Sequence, residues 1–238
     1  MSRLAEFEPV YRWGLDILEH ELKSFRQTEL PGGKIMLVFD VTSRSPVRTD
    51  IRFANRFVYT IRPDGMIRLD HSMTPDLELP GYPPGQIAWL QKMGLAFTLP
   101  SEIQTLEWFG KGPFETYPDR KTGAKTGIYR MDIDEIELPY IIPQDFDNRT
   151  DVRWAKIYSG NGAGLAFHSD YLMNVAINPY SNLETSWYPY QLERSKNPVL
   201  NIDHRVTGVG GTPVTARARY RTYPQQYSYS IYFKPFGK

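Results

Sequence analysis

Short apolar runs with a period of two, separated by turns rich in Pro and Gly, constrain this chain more than any other feature. Ile35, Leu37, Phe39 and Val41 alternate with Met36, Val38 and Asp40, as a strand that buries one face requires. Phe57, Tyr59 and Ile61 repeat the pattern, Pro63-Asp64-Gly65 makes a hairpin turn, and Ile67, Leu69 and His71 return. Leu95–Leu99, Glu102–Phe109, Val152–Ser159, Ala163–His168, Tyr171–Asn178, Val199–Val206, Val214–Tyr220 and Tyr227–Phe233 read as further strands. In Tyr171–Asn178, Met173, Val175 and Ile177 face opposite to Asn174, Ala176 and Asn178. In Val214–Tyr220, Val214, Ala216, Ala218 and Tyr220 share one face; Thr215 takes the other with Arg217, Arg219 and Arg221. The spacing predicts about eleven strands and no alternation of strand with helix, which makes the chain an all-β sandwich.

A few stretches read differently. Trp13, Leu15, Ile17, Leu18, Leu22 and Phe25 fit a helix face, although His20–Phe25 also suits a strand, so residues 1–33 stay open up to a turn at Pro31-Gly32-Gly33. Residues 74–86 form a Pro- and Gly-rich connection, Lys121–Lys125 a polar turn, and Glu137–Pro143 an extended segment. His168-Ser169-Asp170 reads as a turn. Ser181–Arg194 alone reads as helical, with Ser181 as cap and Glu184 in capping-box spacing, held to about two turns by Pro189.

The 238 residues suffice for one large β domain or two small ones, and 19 Pro, 18 Gly and 14% aromatic content agree with many short strands. A net charge of +1 gives no basic face for nucleic acid, Arg217, Arg219 and Arg221 being the nearest approach to one. Without cysteine there are no disulfides, thiol nucleophiles or thiolate metal sites. No apolar run approaches the roughly 20 residues that span a bilayer. Met1–Pro9 is charged and does not read as a signal peptide.

Chemistry concentrates in Trp108–Arg120. Gly110, Gly112 and Pro113 are expected to turn the chain and to present Glu115, Tyr117, Asp119 and Arg120 together. Glu115 and Asp119 are the available carboxylate pair for glycoside hydrolysis; the alternative is a rigid polar corner in which Arg120 satisfies both acids. His20, His71, His168 and His204 show no metal-ligand spacing. Gly208-Val209-Gly210-Gly211 lacks the helix of a phosphate loop and reads as a tight bend or a ligand contact. Trp108, Trp154 and Trp187 are either core or sugar-stacking platforms.

Trp108-Phe109-Gly110-Lys111-Gly112-Pro113-Phe114-Glu115-Thr116-Tyr117-Pro118-Asp119-Arg120 resembles the W-x-G-x-G-P-x-E-x-Y-x-D-R signature of the C-terminal domain of glycoside hydrolase family 2 β-galactosidases, a separate small chain in some bacteria. Tyr140–Asp145 and Asn148–Trp154, including Arg149, Asp151 and Arg153, are similar to the family's Y-x-x-P-Q-E-x-G-N-R-T-D-V-R-W, with Asp145 for Glu and Asp147 for Gly. Asn178–Ser181 with Leu183-Glu184, Leu200–Asp203, Gly208–Gly211, Trp13–Asp16 and Met93–Leu95 resemble further family elements, so the likeness covers nearly the whole chain.

The resemblance implies a two-sheet antiparallel supersandwich of the galactose mutarotase type. It would form a single domain over 1–238, lacking some N-terminal strands of the family domain and leaving a sheet edge unpaired. The catalytic glutamates belong to a (β/α)₈ barrel, in the same or a separate chain, and this domain completes the rim of the galactoside pocket; the isolated chain is therefore expected to be inactive. No catalytic residue, metal or cofactor falls in it, while the family's catalytic part commonly uses Mg and Na. Gly210, Gly211, Thr212, Pro213 and His204 are the expected sugar contacts, and Trp108, Gly110, Gly112, Pro113, Glu115, Tyr117, Asp119, Arg120, Arg149, Asp151, Arg153 and Trp154 the structural motif residues. The family often has a Trp beyond G-x-G-G; Thr212-Pro213-Val214 stand here, so its aglycone platform does not carry over. The partners implied are the barrel and a galactoside, with no nucleic acid and no membrane. The location implied is the cytoplasm, or the periplasm for a fragment of an exported enzyme. The alternatives are a stand-alone carbohydrate-binding module or a mutarotase-like aldose epimerase using His71, His168 and Glu107.

Overall fold

A computed structural model describes residues 13–76, 89–210 and 216–237. These residues hold eleven strands, numbered in chain order: β1 Glu19–Leu30, β2 Lys34–Arg44, β3 Arg52–Ile61, β4 Ile67–Asp76, β5 Lys92–Thr98, β6 Ile103–Gly112, β7 Lys125–Asp132, β8 Arg149–Ser159, β9 Gly164–Tyr180, β10 Arg194–Val206 and β11 Tyr227–Phe236. Every strand pair named below is antiparallel and no α-helix occurs among the described residues, so the chain is all-β as its periodicity predicts. No helix among them is long and apolar enough to cross a membrane.

The chain forms two compact units, Met1–Gln91 with Gly210–Phe233 and Lys92–Val209 with Lys234–Lys238. In the first, β1 to β4 run as a meander and β11 lies against β4. The open assignment of His20–Phe25 resolves as strand. The Pro63-Asp64-Gly65 turn closes with Arg62 N–H on Met66 O at 2.9 Å, and Gly65 takes φ 79°, which a Cβ would strain. Phe39, Phe57, His71 and Tyr229 follow one another across the register, as do Leu37, Tyr59, Leu69 and Ile231. Burial deepens along those rows, and Leu69 and Ile231 are fully buried.

In the second unit the strand order is β7-β6-β8-β9-β10-β5. Met173, Val175 and Ile177 are buried on one face of β9, and Asn174 and Ala176 on the other, which places β9 in the interior. Leu106, Trp108, Val152, Ile157, Phe167, Leu200 and Ile202 complete this core. Each fully buried aliphatic side chain here contributes about 1.5–3 kcal/mol of transfer free energy.

Four local expectations are corrected. Ser181–Arg194 is not helical: it is a hairpin excursion whose base is the Tyr180–Arg194 pair, with one 3₁₀ turn at Pro189–Gln191. Asn182 organises it, its backbone carbonyl accepting the Ser186 N–H and its side chain bonding Gln191 and Glu193, so side chain competes with helix for the backbone. His168-Ser169-Asp170 does not turn; it lies inside β9, which is continuous over 17 residues. Of the expected strand Val214–Tyr220, the first two residues lie outside the described residues, and Ala218–Tyr220 forms a 3₁₀ turn. Finally, β6 continues through Gly110 to Gly112. Neither glycine has a positive φ; what each provides is room. A Cβ on Gly110 would sit 2.9 Å from Val152 Cα, and one on Gly112 2.7 Å from the Tyr129 ring.

Candidate functional site

The motif loop leaves β6 through the cis Gly112–Pro113 bond and is fastened at once to the start of β8. Thr116 N–H donates to Asn148 O at 2.7 Å, and Asn148 Nδ2 returns a bond to Thr116 O at 2.7 Å. Thr150 N–H donates to Thr116 Oγ1 at 2.9 Å. Thr116, Asn148 and Thr150 are all buried, so a reciprocal set of bonds satisfies polar groups that would otherwise be costly in the interior. Periodicity did not reveal this ladder, because its partners stand 32 to 34 residues apart.

Glu115 is the hub of the corner. Its Oε1 accepts from the Arg120 guanidinium and from the Tyr140 hydroxyl, and its Oε2 accepts the Asp147 N–H at 3.0 Å. Arg120 Nη2 also donates to Tyr140 Oη at 2.6 Å, and its guanidinium lies 5.3 Å from the Tyr117 ring centre. Burial first, then the bond to Glu115, pushes the Tyr140 phenol up to about 12. Burial, reinforced by Asp145 and Glu115, also raises the Tyr117 phenol well above its ordinary value. Both phenols are therefore neutral near pH 7: that of Tyr140 donates to Glu115, whereas Tyr117 Oη is buried with no hydrogen-bond partner among the described residues.

Asp119 has a separate task. Its Oδ1 accepts the Val209 N–H at 3.0 Å. Gly208 lies against the same carboxylate, and a Cβ there would meet Asp119 Cγ at 2.5 Å. The expectation that Arg120 satisfies both acids is thus corrected: Arg120 binds Glu115 and Tyr140, and Asp119 holds the Gly208-Val209 segment. Glu115 and Asp119 serve different partners: Arg120, Tyr140 and the Asp147 N–H bind the one, and the Val209 N–H the other.

Beneath the loop, Arg149 and Asp147 form a buried ion pair at 2.6 Å, with side chains 3% and 7% exposed. Arg149 Nη1 also donates to Asp147 O at 2.7 Å, and the guanidinium lies 5.0 Å from the Trp108 ring centre. Asp147 has φ 65°, which accounts for the glycine that the resembling motif carries at this position. Burial raises its carboxyl against the opposing pull of Arg149. Asp151, also left-handed at φ 56°, binds Lys121 Nζ at 2.7 Å. Arg153 lies 5.0 Å from the Phe109 ring centre, and Trp154 packs between Phe109 and Lys156.

Among the three tryptophans offered as platforms, Trp108 is core at 1% exposure, Trp154 is half-buried and Trp187 is 60% exposed. Of the expected sugar contacts, Gly210 has φ 63°, and Gly211, Thr212 and Pro213 lie outside the described residues. His204 is half-buried on β10, its ring edge-on to Tyr171 at 4.4 Å. Burial, then the nearby Arg205, holds its imidazole down at about 4, so it is neutral at pH 7.

Beside it, Asp203 is 3% exposed and its Oδ2 meets no hydrogen-bond partner among the described residues. Burial pushes its carboxyl up to about 7, Lys92 opposing and Asp145 reinforcing the rise. Lys92 itself bonds Asp145 at 2.6 Å. The sequence signal for this cluster is Asp203 within the strand-like run Val199–Val206, in the family-like element Leu200–Asp203.

Two of the three residues offered for an epimerase are engaged elsewhere, and the third, His168, is exposed on β9 opposite Trp154. His71 stacks on Phe57 and bonds Tyr229 Oη and Asn55 Oδ1 in the first unit, and Glu107 pairs with Lys156 in the second.

Comparison with known proteins matches residues 8–233 to the family described as "Beta galactosidase small chain". The β-galactosidase of Priestia megaterium is 35% identical over 157 residues, 64% of this chain and 14% of that protein. That of Photobacterium profundum is 30% identical over 184 residues, 75% of this chain and 17% of that protein. The chain thus spans between 14% and 17% of the length of these two relatives. A solved structure, the GalM/aldose epimerase homologue from C. elegans, aligns with a TM-score of 0.43 at 11% identity, covering 90% of this chain and 69% of that one.

Proposed function

The chain belongs to the beta-galactosidase small chain family, and from that premise we propose that it is the non-catalytic part of a glycoside hydrolase family 2 β-galactosidase. In this reading it completes the rim of the galactoside pocket and supports assembly with a catalytic (β/α)₈ polypeptide. The acid and nucleophile, and the Mg and Na that the family commonly uses, reside in that partner. The observation that carries the reading is the Asp119–Val209 bond. A motif loop whose acids bind other parts of the chain, and which fixes the backbone at Val209, supports a role in structure and assembly rather than in cleaving a bond.

The test is an assay of purified chain on a chromogenic β-galactoside, with and without the catalytic polypeptide. No turnover by the chain alone and activity on mixing are expected. Substantial turnover by the isolated chain would overturn the proposal.

A further inference from the structure

We propose that the Ser181–Glu193 excursion and the cleft at its base form a second saccharide-binding surface, built from residues other than the Gly208–Gly210 segment. The inference rests on the reading of the chain as part of a glycosidase, but its observations lie elsewhere in the fold. Trp187, Tyr188 and Tyr190 are 60%, 55% and 82% exposed. The two tyrosine rings are parallel within 9°, with centres 5.5 Å apart.

This aromatic tip is pinned in place. Gln191 Oε1 accepts the N–H groups of both Trp187 and Tyr188, at 2.9 and 3.0 Å. Asn182 Nδ2 donates to Gln191 O at 2.8 Å, and Asn182 Oδ1 accepts the Glu193 N–H at 2.9 Å. Rings held this way lose little entropy on binding, because tyrosine has only two side-chain torsions and the backbone is already ordered.

The base of the excursion borders a cleft of about 320 Å³, at the lower end of the range for small-ligand sites. Gln104, Asp134, Arg194, Ser195 and Lys196 line it. Arg194 is fixed by donating to Ile133 O at 3.3 Å and by lying 5.0 Å from the Tyr180 ring centre. From Tyr190 to Arg194 the chain spans at most about 14 Å, a distance that one oligosaccharide can bridge.

The chemistry selects a neutral polyol over a protein surface. The excursion's aliphatic side chains turn inward, Leu183 being buried and Leu192 half-buried. What it presents is aromatic faces among amides, carboxylates and a guanidinium. The cleft adds two cations, one acid, an amide and hydroxyls, a mixture of donors and acceptors that favours hydroxyl groups over a single charge. Aromatic faces take the apolar face of a sugar ring, and the polar lining takes its hydroxyls.

The test is calorimetric titration of the full chain with β-1,4-galactotetraose and with lactose. The native chain is compared with Tyr188→Ala/Tyr190→Ala, whose folding is checked by thermal melting. Millimolar or tighter binding of the tetraose, weakened at least tenfold in the double variant with its melting point unchanged, is the expected result. Equal binding by both proteins overturns the inference, as does no binding by the native chain. A native chain that binds no tetraose but still activates the catalytic polypeptide leaves the proposed function standing while removing this site. A double variant that loses that activation with tetraose binding unchanged marks the tip as a protein contact and likewise overturns it.

Discussion

The Asp119 carboxylate accepts the Val209 N–H at 3.0 Å across 90 residues of chain. One side chain therefore couples the most motif-rich loop of the chain to the Gly208-Val209 segment. Removing it should loosen that segment before it disturbs the core. Asp119→Ala is expected to cost about 0.5–1.5 kcal/mol, the net worth of a part-buried hydrogen bond, and to lower activation of the catalytic polypeptide. Asp119→Asn retains an acceptor oxygen and should stay near the native melting point. Thermal melting and complementation of the two variants check this.

Gly208 shares that contact. A Cβ at this position would meet the Asp119 carboxylate, with Cγ at 2.5 Å, and pushing the carboxylate off the Val209 N–H costs about the 0.5–1.5 kcal/mol of that bond. Because the listener to that clash is Asp119 itself, the two sites must be coupled. Gly208→Ala should destabilise the native chain by more than it destabilises Asp119→Ala. A double-mutant cycle by urea denaturation reads the coupling, and additive effects would show that the segment is held by something else.

Strands were legible because a period of two is a local property; Ile35–Val41, Ile67–His71 and Tyr227–Phe233 follow from it directly, whereas β4 runs on to Asp76 into the expected Pro- and Gly-rich connection. The excursion at Ser181–Arg194 was misread because capping-box spacing is also local, while the Asn182 bonds to Gln191 and Glu193 that defeat the helix span 9 and 11 residues. Resemblance singled out Glu115, Asp119 and Arg120, yet it did not say which groups they bind. Tyr140, Asp147 and Val209 come to them from distant segments, so the assignment needed the fold. Gly110 and Gly112 show the same limit: the sequence suggests a turn, and their role is the close approach of Val152 and Tyr129.

The Asp147–Arg149 pair sets two effects against each other. Asp147 adopts φ 65°, and glycine would relieve that strain by about 1–2 kcal/mol at most. The same change strips the carboxylate from a guanidinium whose side chain is 3% exposed, and breaking a buried pair costs about 3–5 kcal/mol. Asp147→Gly should therefore be a net loss in this chain, softened by the Asp147 backbone carbonyl that Arg149 keeps. A denaturation midpoint at or above the native value would reverse this ranking.

Asp203 and His204 give stability a compensated pH dependence. The Asp203 carboxyl is raised to about 7 by burial, whereas an unfolded Asp titrates near about 3.9. The folded state then binds more protons than the unfolded one between those values, so this group makes stability fall as pH rises from about 4 to about 7. His204 is lowered to about 4 from an unfolded value near about 6.5. Over that window the folded state binds fewer protons, and stability rises with pH. The two slopes oppose each other in the native chain. Asp203→Asn removes the falling component and leaves the histidine's, so urea midpoints of the variant should climb more steeply between pH 4 and 6.5 than those of the native chain. Parallel curves would mean that Asp203 titrates alike in both states.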